Sequence, residues 1–135
     1  MVSRVPESEE KVEVNGKTYY REIRRIEGTM LGWEDHGILT FHLETVSEVS
    51  HQAAGGYALD GKPSGRGSDS KRVPSIACGQ FIMGILEAVG VSKWEDLPGQ
   101  TIYVYREDCK RGLIKGISAL PGSGRGGVLI FEEVQ

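Results

Sequence analysis

Cysteine is scarce in this chain. Its two thiols, Cys78 and Cys109, are too few for a disulfide framework and stand at no metal-knuckle spacing, so free thiols are expected. A positive excess is also missing: 16 Lys and Arg against 19 Asp and Glu give a formal charge of −3. Stable binding to duplex nucleic acid, which requires many phosphates to be neutralised, is therefore not expected. No apolar run approaches the roughly 18 to 20 residues that cross a bilayer. The acidic N-terminus has no apolar stretch of the signal-peptide kind, so no membrane partner and a cytoplasmic location are expected. The chain has no Gly-x-Ser-x-Gly elbow and no phosphate loop, and its three histidines (His36, His42, His51) stand at no familiar metal spacing. These absences lead us to expect no catalytic nucleophile, no metal site and no cofactor.

What is abundant is glycine, 19 of 135 residues, about twice the usual share of roughly 7%. Many of these glycines mark turns. Asn15-Gly16 lies between alternating segments and predicts a tight hairpin, because both residues tolerate positive φ. Leu39, Phe41 and Leu43 alternate with Thr40, His42 and Glu44, the period of a strand with one buried face. Three antiparallel strands follow, running through Val12, Tyr19 and Leu39. Ile82, Ile85, Leu86 and Val89 recur at helical spacing, so one helix is expected over Ser75–Val89, capped by Ser75 and closed by Gly90. Gly79 and Gly84 weaken it, and their missing side chains allow close packing on a sheet or on another subunit. Ser92 to Glu95 has the form of a capping box and predicts a short turn ended by Pro98-Gly99. Strands are expected at Thr101–Arg106, with Ile102 and Val104 inward and Tyr103 and Tyr105 outward. Two more are expected at Leu113–Leu120 and Val128–Val134, and a short one at Tyr57–Asp60. The expected fold class is α+β: a mainly antiparallel β-sheet with one principal helix packed on it. Residues 1–10 read as a flexible acidic tail. Residues 11–135 read as a single domain with a basic Gly/Ser-rich loop at 61–73.

Three constellations bear on function. Glu34, Asp35 and His36 sit where a loop enters a strand, with their polar atoms free for a ligand or for bonding a glycine-flanked turn. A small phosphodiesterase or other hydrolase would have to rest on this trio alone. Gly122 to Gly127 matches Gly-x-Gly-x-x-Gly, but a strand rather than a helix follows, so no dinucleotide fold is inferred; a loop presenting Arg125 remains. Outward aromatics (Trp33, Tyr57, Tyr103, Tyr105) offer faces on which a base can stack, and Arg25, Arg106 and Arg111 offer forks for phosphate.

The succession Gly32-Trp33-Glu34-Asp35-His36-Gly37-Ile38-Leu39-Thr40, Gly55-Gly56-Tyr57-Ala58-Leu59-Asp60, Phe81 to Val91 and Trp94-Glu95-Asp96-Leu97-Pro98-Gly99 resembles a family of small phage proteins. It is identified as similar to the first type of phage Thoeris anti-defence proteins. The resemblance runs from about Arg25 to Gly116. It implies a non-catalytic sponge that sequesters cyclic ADP-ribose signals of TIR-domain enzymes, and in some members cyclic oligonucleotides. It also implies oligomers with pockets shared between subunits, in the infected bacterial host. Two departures touch ligand identity: Thr45 to Ala54 lacks a glycine-rich run, and the Lys62 to Val73 insertion is long and basic. The expected ligand-binding residues are Arg25, Trp33, Glu34, Asp35, His36, Gly55, Gly56, Tyr57, Phe81, Arg106 and Arg111, and the expected partners are a small phosphorylated nucleotide signal and further copies of the chain. The competing reading is a phage accessory protein that binds a host protein through a sheet edge and the basic loop.

Overall fold

Asn15 and Gly16 both take positive φ, +54° and +82°, as the tight hairpin requires. They join β1 (Glu10–Val14) to β2 (Lys17–Asp35), in a computed structural model that describes residues 9–35, 37–61, 73–108, 111–120 and 127–134. β2 is 19 residues long and organises the sheet. Along one edge it pairs first with β1 and then with β3 (Ile38–Val46); along the other it pairs with β7 (Thr101–Asp108). Outward from β3 comes β4 (His51–Gly55), and outward from β7 come β8 (Arg111–Ala119) and β9 (Leu129–Ile130). All the pairings are antiparallel. A separate ladder of two residues each, β5 (Asp60–Gly61) and β6 (Val73–Pro74), brackets the expected basic loop, of which residues 62–72 lie outside the described residues.

The helix α1 (Ile76–Val89) covers the inner face of the sheet. Together the sheet and its one helix make the α+β class expected from the sequence. Gly90, at φ +92°, ends the helix as expected. Ser75 occupies the N-cap but makes no cap bond; its hydroxyl donates to Leu59 O at 3.1 Å instead. The buried face is Phe81, Ile85, Ala88 and Val89, turned slightly from the stripe expected, and Ile82 and Leu86 are only half-buried. Gly84 lies against Leu129, 3.1 Å from where a Cβ would sit, whereas Gly79 faces open space.

Three strand expectations are corrected. His51–Gly55 is a strand, although the pattern there breaks, because Ala54 alone needs to face the core. Tyr57 and Ala58 are not in a strand; Gly55 and Gly56, at φ +116° and +89°, kink the chain, and it continues irregularly along β3 with Leu59 N donating to Leu39 O. Only Leu129–Ile130 is strand near the C-terminus, and Phe131–Glu133 turns as a 3-10 helix that buries Phe131. Trp94–Asp96 forms the expected short turn, with Lys93 rather than Ser92 at its cap.

Cross-strand register places Ile26 opposite Thr45, Leu43 opposite Ala54, Thr45 opposite Gln52, Arg24 opposite Ile102 and Glu22 opposite Val104. Opposed residues share a face. The inner face therefore changes character along the strands: Phe41, Leu43, Ala54, Ile26, Ile102 and Val104 lie under the helix, then Thr45, Gln52, Arg24, Glu22 and Arg106 beyond it. The sheet also curls until β4 approaches β8, without a backbone ladder between them among the described residues. Gln52 crosses that seam, its Nε2 donating to Gly112 O at 2.9 Å. On the outer face Tyr19, Tyr105 and Ile130 form a second, smaller cluster.

Candidate functional site

Two arginines lie on the polar half of the inner face. Arg24 is buried, and all five of its N–H groups are used. Nε donates to Thr45 Oγ1 at 2.8 Å. Nη1 donates to Ser50 Oγ at 2.9 Å and Glu22 Oε1 at 3.2 Å, and Nη2 to the carbonyls of Thr45 and Ser50 at 3.1 Å each. Burial pushes its pKa down, Glu22 pulls it up and the charge of Arg106 pushes it down again. A guanidinium so fully bonded holds the β3–β4 connection in place and has nothing left for a ligand.

Arg106 differs. It is 3% exposed, and Nη1 donates to the same Glu22 Oε1 at 2.8 Å while Nε and Nη2 both donate to Gln52 Oε1. Three N–H groups are thus used and two have no partner among the described residues. Its second carboxylate, Glu9 Oε2, stands 3.9 Å from Nη1, beyond hydrogen-bond reach. Arg106 lines a cavity of about 400 Å³ with Glu22, Ser50, His51, Gln52 and Gly112. On the rim His51 contacts Glu27 at 3.0 Å.

A second, smaller cavity of about 240 Å³ opens on the same seam, lined by Ala53, Gly55, Gly56, Tyr57, Leu113, Ile114, Lys115 and Glu132. Lys115 and Glu132 pair across it at 2.6 Å. The Tyr57 ring packs among Phe41, Phe81 and Phe131, with centroids 5.4 to 6.5 Å away. Burial raises its phenol pKa, Glu132 raises it further and Lys115 lowers it.

The expected ligand residues are thus distributed rather than gathered. Gly55, Gly56 and Tyr57 line the smaller cavity; Phe81 lies behind them in the core, and Arg106 lines the larger cavity. Trp33 and Glu34 are at the end of the β2–β3 hairpin, where Trp33 is 62% exposed and its Nε1 donates to Asp60 Oδ2 at 3.2 Å. Asp35 pairs with Ile38 through its backbone, and His36 lies outside the described residues. Arg25 is exposed on the opposite face to Arg24, and Arg111 is placed by its backbone at the start of β8. Of the outward tyrosines, Tyr105 is buried under Tyr19 and Ile130, which removes it as a stacking platform. Tyr103 is covered by the Arg21 guanidinium at 4.1 Å. The loop with Arg125 lies outside the described residues.

No model of a known protein family matches the chain, and no curated protein or solved structure matches it. Among the described residues no three His, Cys, Asp or Glu side chains converge as a metal site, and no helix is long and apolar enough to cross a membrane. The two cavities on the seam offer a fixed guanidinium at one end and an aromatic edge with glycine backbone at the other, an arrangement suited to holding a ligand.

Residues that sequence reasoning missed are Glu22, Arg24, Ser50 and Gln52. A signal for Glu22 and Arg24 exists. Reading Ile102 and Val104 as inward puts Arg106 inward by the same period of two, and Ile26 carries Arg24 and Glu22 with it.

Proposed function

We propose that this chain is a binding protein that sequesters a small phosphorylated nucleotide signal without cleaving it. The signal is of the cyclic ADP-ribose type, extending to cyclic oligonucleotides, and the setting is phage anti-defence in the cytoplasm of a bacterial host. The observation that carries the reading is Arg106, buried at a cavity with two N–H groups unspent among the described residues. Such a planar fork suits a phosphoryl oxygen pair. The motif resemblance supplies the ligand class. Self-association is supported by α1, whose outer face carries Ile76 at 85% and Met83 at 62% exposure around the open Gly79. Thermal melting with cyclic ADP-ribose isomers and cyclic di- and trinucleotides tests the proposal. A ligand at about a hundred times its dissociation constant adds roughly 2.7 kcal/mol of stability. The expected result is a clear upward shift with the ligand recovered intact; no shift with any of them sinks it.

The second reading, an accessory protein for a host partner, is favoured by the same exposed helix face, on which Ile76 and Met83 stand beside a single charged residue, Glu87. Sedimentation of the purified protein separates the two. A Met83→Glu variant that turns an oligomer into a monomer assigns the face to copies of this chain, and a wild-type monomer leaves it to another protein.

A further inference from the structure

Most polar side-chain atoms around the larger cavity are already committed. Gln52 accepts from Arg106 through Oε1 and donates through Nε2 to Gly112 O. Ser50 Oγ accepts from Arg24 Nη1 and meets Ser47 Oγ at 3.2 Å, and His51 Nε2 contacts Glu27 on the rim. Two groups keep spare capacity. Arg106 has one N–H on Nη1 and one on Nη2 without a partner among the described residues. Glu22 takes both arginines on one oxygen: Oε1 accepts from Arg24 Nη1 at 3.2 Å and from Arg106 Nη1 at 2.8 Å. Its other oxygen, Oε2, accepts no hydrogen bond among the described residues, although the side chain is only 13% exposed and lines the cavity. An ionised carboxylate oxygen can only accept, and one held away from bulk water is costly to leave without a donor. In the smaller cavity, by contrast, the charged groups Lys115 and Glu132 are paired with each other.

The spare donors and the spare acceptor are neighbours, because the Arg106–Glu22 hydrogen bond joins the two side chains. A bare phosphate satisfies the donors but sets its own negative oxygens against the carboxylate. A ligand that carries an O–H beside its phosphate satisfies both. Ribose does this when the hydroxyl next to the phosphate-bearing carbon is free, and deoxyribose does not. We propose that the larger cavity reads a phosphate together with the free hydroxyl beside it on the same ribose. Arg106 donates from Nη1 and Nη2 to two phosphate oxygens, and the hydroxyl donates to Glu22 Oε2. Glu22 is then the residue that selects ribose over deoxyribose. The inference rests on the reading of Arg106 as a phosphate ligand in a nucleotide-binding protein, and it adds the sugar to that reading.

The test uses the full chain and three probes: adenylyl-3′,5′-adenosine, its 2′-deoxy analogue and its 2′-O-methyl analogue, both altered on the sugar beside the phosphate. Calorimetric titration gives affinity, and the ¹⁵Nε resonance of Arg106 gives location. The hydroxyl compound is expected to bind about tenfold more tightly than either analogue, with the Arg106 resonance moving on titration. The O-methyl analogue keeps the oxygen and loses only the proton, so it separates donation to a carboxylate from a preference for sugar shape. Glu22→Gln, which puts an amide in place of the spare acceptor, should narrow the preference to about twofold. If that variant folds poorly, the ligand series on the wild type decides alone. Equal binding of the three probes, an O-methyl analogue as tight as the hydroxyl compound, a preference untouched by Glu22→Gln, or no binding of any probe overturns the proposal. A longer adenylate strand should bind no more tightly than the dinucleoside; affinity that climbs with strand length moves the site to RNA and overturns its assignment to a small molecule. Cyclic nucleotides that raise the melting temperature while the three probes bind equally remove the hydroxyl contact alone. The expected preference among the probes with no cyclic nucleotide bound removes the sponge reading alone.

Discussion

Gly55 has no room for a side chain. A Cβ there would fall on Phe41 O and within 2.8 Å of the Phe41 ring, and its φ of +116° is a conformation that other residues rarely adopt. Gly55→Ala is therefore expected to cost about 3 kcal/mol, combining overpacking with backbone strain. Urea unfolding measures it, and a change below about 1 kcal/mol would show that β4 shifts freely. Tyr57, two residues on, gives a pH-dependent prediction. Its phenol pKa is raised by burial first and by Glu132 second. The folded state thus holds the proton longer than the unfolded chain. This stability is fully present below the ordinary phenol pKa of about 10 and is lost as pH rises through the higher folded value. The urea midpoint of the wild type should fall more steeply above pH ~10 than that of Tyr57→Phe. Both residues stand in the Gly-Gly-Tyr stretch singled out from the sequence, but the physical demand on them comes from the aromatic core as well as from the smaller cavity.

Two glycines in one helix answer to different neighbours. Gly79 faces open space, so Gly79→Ala should add close to the full propensity difference, about 1 kcal/mol. Gly84 is pressed on Leu129, so Gly84→Ala should fall short of the Gly79 variant by about 1 kcal/mol. Thermal melts of the two variants side by side decide it; equal gains would mean that Leu129 moves aside. At this scale much was legible. Asn15-Gly16, the helix and its terminating Gly90, and the alternation at Thr101–Arg106 all follow from local rules that act within a few residues. What was not legible depends on distant partners. β4 is a strand because it lies along β3, with only Ala54 fully buried, and Phe131 turns inward because an aromatic cluster from three other segments waits for it. The polar site was half legible: Arg106 stood among the residues picked, while Glu22 and Gln52, which orient it, are 84 and 54 residues away in the chain.

The curl of the sheet leaves the β4–β8 seam without a ladder among the described residues, and that has a dynamic consequence. Amides of β4 and of residues 113–115 that point into the seam should exchange with solvent faster than those of Ile102–Arg106 in β7, which are paired on both sides. Hydrogen exchange followed residue by residue tests this, and a ligand in the seam should slow the same amides. Uniform protection across all strands would mean that the seam is closed in solution. The length of β2 bears on how the molecule is made. Its partners on one edge, β1 and β3, are its immediate neighbours in the chain, so those hairpins close short loops. Its partner on the other edge, β7, arrives only after β3, β4 and the helix have been traversed. Pairing of this kind pays its loop-closure entropy late and is slow. Arg24 finds its Thr45 and Ser50 partners within the early half, whereas Arg106 meets Glu22 and Gln52 only when β7 docks. The cavity lined by Arg106 thus matures last, and a chain still emerging from the ribosome holds a finished hairpin scaffold without Arg106 yet at its mouth.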